Sequence, residues 1–326
     1  MNETPSGKKT ERLLDEAASI FASLYETTFQ ALLDAAGPEK AIELMKPYLK
    51  FHYEAGTFVI KKQYKLKTDD LTSLAGFYKF ASILFWGVPL GNFEFFDDGF
   101  TVERFYCRQQ IGRFWCALDC DWAWCYSMGA INDNYEWFLT RSLYKGDPIC
   151  QMMVKRKGAN IRGEVKKKPV EICTPQPSKE ELAYWQSANF SQCWIYATNA
   201  LVDFAGKEKA AEVIRPYMKA LGMSTALELT GKLGIKERDA LSIAAIIEYC
   251  NKVASQKGKM LVQTPERVEK ELTECIFAHA SQDICADALE ARSNGICEMI
   301  NPEYEFRTIR RMCKGDKTCH WVIKKK

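Results

Sequence analysis

Histidine is nearly missing from this chain: His52, His279 and His320 are all that 326 residues contain. That scarcity argues against catalytic triads and zinc centres built on imidazole, and leaves acid/base work to Glu, Asp or Cys. A phosphate-cradling Walker loop, a dinucleotide fingerprint and a Gly-x-Ser-x-Gly elbow are also missing, which argues against the common nucleotide-dependent and serine-hydrolase chemistries. No apolar run approaches the roughly 20 residues that a membrane span needs. The opening Met1-Asn-Glu-Thr-Pro-Ser-Gly-Lys-Lys9 lacks the apolar core of a signal peptide. The expectation is a cytoplasmic chain with no membrane partner. Net charge is small as well: the +3 left by 45 basic and 42 acidic residues is dispersed apart from Lys155-Arg156-Lys157, Lys166-Lys167-Lys168 and Lys324-Lys325-Lys326. This distribution speaks against a nucleic-acid partner.

Cysteine is plentiful, with 13 residues. In a reducing compartment that number points away from a disulfide framework and toward buried thiols, metal ligands or redox chemistry.

Set against itself at a shift of 169 residues (Gly37 onto Gly206), the chain repeats. The segment from Gly37 to Lys50 returns as Gly206 to Lys219, and Arg141 to Cys150 returns as Arg310 to Cys319. About thirty positions are identical at that one shift. The reading is a duplicated domain: a first copy over residues 10–157, a linker rich in Lys, Pro and Gly over 158–178, and a second copy over 179–326.

Within one copy the apolar period predicts three helices: residues 10 to 36, ended by Gly37; about 38 to 50, ended or kinked by Pro47; and about 68 to 86, capped by Thr68. The period then changes. Asn92 to Phe96 and Phe100 to Cys107 flank Asp97-Asp98-Gly99 as a hairpin, a further helix follows over 108–129 (278–298 in the second copy), and Tyr135 to Arg156 closes as a second hairpin. The predicted fold class is α+β, two tandem copies of a domain with a four-stranded, mainly antiparallel sheet covered by helices.

Several chemistry-bearing residues correspond between the copies. Cys150 matches Cys319, Cys116 matches Cys285, and with one inserted residue Cys107 matches Cys275 and Glu103 matches Glu271. These thiols and carboxylates suit metal ligands or a nucleophile and its base; buried packing explains the thiols equally simply. Arg141 and Arg310 each stand nine residues before the matched cysteine. They suit either a bidentate hold on a carboxylate or a surface ion pair with Glu136 or Glu305. Asp147 and Asp316, in matching Lys-Gly-Asp turns, suit a base or support of the turn.

The pattern Arg-x-x-x-x-Gly-Asp-x-x-Cys, preceded by the strand Val102-Glu-Arg-Phe-Tyr-Cys107 and by Cys116-Ala-Leu-Asp119, resembles the L-2-amino-thiazoline-4-carboxylic acid hydrolase family. More distantly it resembles 4-vinyl-reductase-like small-molecule-binding domains. The first resemblance implies ring-opening hydrolysis of a small cyclic carboxylate, with Cys116 or Cys150 as thiolate, Asp119 or Asp147 as base and Arg141 holding the carboxylate. The second implies a ligand pocket, sometimes with a Cys-bound zinc nearby; the rival reading is a non-catalytic module that binds or senses an aromatic or tetrapyrrole-like molecule.

The copies differ most between Trp86 and Tyr126, where the first is aromatic and thiol-rich. Trp115, Trp122, Trp124 and Tyr126 suit a pocket for a flat ligand, or an interface between copies or within a homodimer. Cys116, Cys120 and Cys125 suggest a site for zinc or another thiolate-bound metal. These features place the expected ligand site in the first copy and leave the second diverged and structural; a scaffold is the third reading.

Overall fold

The computed structural model describes residues 5–86, 90–104, 125–143, 146–160, 172, 174–254, 256–275 and 284–326. The first copy runs through α1 (Pro5–Ala36), α2 (Pro38–Gln63), α3 (Leu71–Trp86), β1 (Phe93–Phe95), β2 (Gly99–Arg104), helical residues 125–131 (α4), β3 (Tyr135–Arg141) and β4 (Cys150–Arg156). The second repeats the order as α5 (Lys179–Ala205), α6 (Lys207–Leu233), α7 (Ala240–Val253), β5 (Lys257–Gln263), β6 (Arg267–Glu274), α8 (Ile284–Ile300), β7 (Tyr304–Arg310) and β8 (Cys319–Lys325). The α+β fold and the two like sheets are as the periodicity predicts. Each sheet is antiparallel, in the orders β1-β2-β4-β3 and β5-β6-β8-β7.

Two local expectations need correction. Pro47 neither ends α2 at Lys50 nor stops it short; the helix continues to Gln63, and Pro216 sits likewise inside α6. An internal proline costs about 3 kcal/mol. Beyond Pro47, however, Leu49, Tyr53 and Ile60 are buried along one stripe, and side chains of that size contribute about 1.5–3 kcal/mol each. Packing therefore outweighs the lost hydrogen bond. The cap of α3 is Asp70, not Thr68: the Asp70 carboxylate accepts from the Ser73 N–H at 2.9 Å, while the Thr68 hydroxyl donates to the Ile131 carbonyl at 2.9 Å. Asp239 caps α7 in the same way, accepting from the Ser242 N–H at 2.8 Å. Gly37 and Gly206, with φ of 77° and 75°, each end one long helix and start the next, a conformation that favours glycine.

Packing divides the chain into two compact units, residues 46–186 and residues 1–45 with 187–326. The boundaries fall inside α2 and α5. The helix α1 thus belongs to the unit that holds the second sheet, while the first turns of α5 belong to the unit that holds the first. Those turns begin with a capping box: the Ser178 hydroxyl accepts from the Glu181 N–H at 3.1 Å, and the Glu181 carboxylate accepts from the Ser178 N–H at 2.8 Å.

In the unit around the first sheet, Phe93, Phe95 and Phe100 cluster with ring centroids 5.6–6.4 Å apart, and Tyr78 of α3 meets Phe100 edge-on at 6.0 Å. In the unit around the second sheet, α7 and α8 bury Ile243, Ile246, Ile247, Ile296 and Ile300 against Val268, Leu272, Phe306, Trp321 and Ile323. Along β6 the core positions alternate as Val268, Lys270 and Leu272. The charge at Lys270 is met by Glu248 of α7 at 2.5 Å.

Candidate functional site

The pleat of the second sheet separates the residues that the repeat brought into one motif. On the core-facing side, Leu272, Phe306, Thr308, Cys319 and Trp321 line a cavity of about 100 Å³. On the opposite side, Arg310 pairs with Glu271 at 2.7 Å, Glu271 also meets Lys259 at 3.4 Å, and His320 meets Glu269 at 2.9 Å. Strict alternation along β7 would turn Arg310 to the same side as Phe306 and Thr308. A bulge between Thr308 and Arg310 brings Arg310 opposite His320 instead. The first copy has the equivalent bulge between Leu139 and Arg141, and Arg141 is exposed.

The matched turns serve the backbone in both copies. Asp316 accepts from the Arg311 N–H at 2.7 Å, and Asp147 accepts from the Ser142 N–H at 2.8 Å. Cys319 and Cys150 take the Met312 and Leu143 N–H groups at 3.2 and 3.3 Å. These are the turn-supporting roles that Gly-Asp spacing allows. Burial pushes the Cys319 thiol up from its ordinary range, which keeps it protonated and weakly nucleophilic near neutral pH. Glu103 is half-buried on β2, opposite Gln151.

The cavity is walled by three helices and the second sheet. Helix α1 supplies Ile20, Phe21 and Leu24; α7 supplies Ile247 and Cys250; α8 supplies Leu289 and Arg292; and the sheet adds Trp321 and Cys319 of β8, with Cys275 just past β6 and Cys313 in the turn before β8 at the margin. By the criterion that one water needs about 10–15 Å³, it has room for several small groups. A second, polar cavity of about 120 Å³, lined by Glu16, Thr225, Glu228, Lys232 and Tyr249, shares Ile20 and Arg292 with the first.

Arg292 is the unusual group. It is 7% exposed, and its Nη2 donates to Cys250 Sγ at 3.3 Å and to Thr225 Oγ1 at 3.4 Å. Its buried Nε has no hydrogen-bond partner among the described residues. The acids nearest in sequence are committed elsewhere: Asp287 and Glu290 clamp Arg311 at 3.2 and 3.1 Å. Burial by itself would lower the Arg311 pKa, but those two carboxylates more than offset it, so the guanidinium is held above its ordinary value. No such carboxylate stands within 4.0 Å of Arg292 among the described residues. A buried cation without an anion is costly, and the missing anion is the chemical statement this site makes.

Two local devices hold Arg292 in place. Asn294 zips α8 to β7, donating to the Phe306 carbonyl and accepting the Phe306 N–H, each at 2.9 Å. Gly222 of α6 and Gly295 of α8 let the two helices touch backbone to backbone; a Cβ at 222 would collide with the carbonyl of Arg292, and one at 295 with the carbonyl of Lys219. The first copy has Tyr53 and Tyr126 at the corresponding positions.

No protein-family model, no curated protein and no solved structure matches the chain.

Of the residues singled out from sequence, Cys275 and Cys319 reach the cavity. Cys285 lies on α8. Cys107, Trp115, Cys116, Asp119, Cys120, Trp122 and Trp124 lie outside the described residues; Tyr126 is half-buried and Cys125 exposed on α4. Among the described residues no group of three or more His, Cys, Asp or Glu side chains is placed to hold a metal ion. Arg292 and Cys250 escaped the sequence reading because neither is repeated. The signal was their position: Arg292 follows Ala288 and precedes Ile296 at four-residue spacing, a charge on the apolar stripe of α8.

Proposed function

We propose that the chain binds a small apolar molecule bearing a carboxylate, in the cavity between α1, α7, α8 and the second sheet. The observation that carries this reading is the buried guanidinium of Arg292 facing an apolar cavity without a carboxylate partner. An incoming carboxylate would accept from Nε and neutralise the charge, while Phe21, Leu24, Ile247 and Trp321 would cover the rest of the ligand. Binding is favoured over hydrolysis in this copy. Its counterpart residues Asp316, Glu271 and Cys319 are engaged in a turn, in ion pairs and as a protonated thiol.

Titration with benzoate and with benzyl alcohol, followed by ligand-observed NMR, tests the proposal. Benzoate should bind saturably and more tightly than the alcohol. Arg292→Gln should weaken benzoate by about tenfold or more, as expected for a lost charge-assisted hydrogen bond. Equal binding of acid and alcohol, or no saturable binding of either, would sink it. The same titration with L-2-amino-thiazoline-4-carboxylic acid separates binding from turnover: ring opening at a rate above that of buffer would restore the hydrolase reading.

A further inference from the structure

The binding reading makes no use of the thiol beside Arg292. Cys250 sits on the buried stripe of α7, 5% exposed, and lines the same cavity. Its sulfur is the acidic group within hydrogen-bond reach of the guanidinium, at 3.3 Å. A fixed cation beside a thiol is the usual means of making it nucleophilic. Cys319 and Cys297 are placed differently. Cys319 takes a neutral backbone N–H, and burial pushes Cys297 up to about 12.

We propose that Cys250 is a nucleophilic site of this cavity, charge-paired with Arg292 and selective for small carboxylates that carry an electrophilic carbon. The selectivity rests on the anion-binding reading above, since the same guanidinium draws in the carboxylate. With an α,β-unsaturated acid, the sulfur forms a bond to the β-carbon and the π pair moves to the α-carbon. That carbon takes up the proton the thiol gave up, so no oxidant or further reactant is needed. With a haloacetate, the S–C bond forms as the C–I bond breaks, iodide leaves with the electron pair and the thiol proton passes to solvent.

The haloacetates give the test. Native protein is treated with limiting iodoacetate or, separately, limiting iodoacetamide, and modification at each of the 13 cysteines is read by peptide mass spectrometry. Cys250 should be modified ahead of Cys297 and Cys319, with iodoacetate preferred over its neutral amide. Arg292→Gln should lower that preference about tenfold, and Arg292→Lys, which keeps the charge, should retain most of it. A Cys250 no faster than Cys297, or a preference unchanged in Arg292→Gln, overturns the inference. Should benzoate still bind saturably in that case, the binding reading stands alone; should it not, both fall together.

Discussion

Replacing Gly222 by alanine sets two effects against each other, and the structure decides between them. In a helix interior alanine is favoured over glycine by about 0.8–1 kcal/mol. The added Cβ, however, would fall on the carbonyl oxygen of Arg292, well inside the 3.0 Å below which Cβ contacts do not occur. Backbone forms both sides of that contact, so no rotamer change relieves it; α6 and α8 must move apart. Overpacking of this kind costs about 1–3 kcal/mol, and the upper end applies because the helices are also tied through Gly295. The expected net loss is about 2 kcal/mol. Urea unfolding followed by far-ultraviolet circular dichroism measures it, with Gly231→Ala as the control. Gly231 lies in the same helix with open space around it, so alanine there should raise the midpoint. If Gly222→Ala raised the midpoint as well, the backbone contact that seats Arg292 would be refuted.

Other consequences can be checked alongside. Lys270→Met should destabilise, because it fills the same space but strands the half-buried Glu248, whereas Lys270→Met combined with Glu248→Leu, which removes both charges, should cost less; equal losses in denaturant midpoint would contradict the ion-pair account. The Cys297 thiol, pushed from 9.0 up to about 12 by burial, keeps its proton in the folded state where the unfolded chain has lost it. The stability this contributes is therefore complete below about pH 9 and declines as pH rises toward 12. Urea midpoints measured across the alkaline range should show that decline, and Cys297→Ala should make it shallower.

The layout of helices and hairpins was legible because it rests on local period and on turn residues. Asp97-Asp98-Gly99 and the two Lys-Gly-Asp turns specify their hairpins without help from distant parts of the chain. Pro47 was misleading for the complementary reason: its cost is local, and the burial that offsets it is tertiary. The orientation of Arg310 turned on one bulge, and a one-residue change of register reverses which side of a sheet a side chain faces. The repeat singles out the wrong residues for the site. It drew attention to residues held in common, whereas Arg292, Cys250 and the Gly222/Gly295 contact stand opposite Ala123, Ala81, Tyr53 and Tyr126 in the first copy.

The assignment of α1 to the second unit bears on how the protein is made. Trp321, which lines the same cavity as Phe21, leaves the ribosome 300 residues after it (321 − 21). At about 5–20 residues per second that interval is roughly 15–60 s. Throughout it, the apolar face of the first helix lacks its final covering, so the nascent chain presents a hydrophobic segment for chaperones to hold. Completion of the cavity waits for Trp321, after the Lys46–Gln186 unit has already left the ribosome.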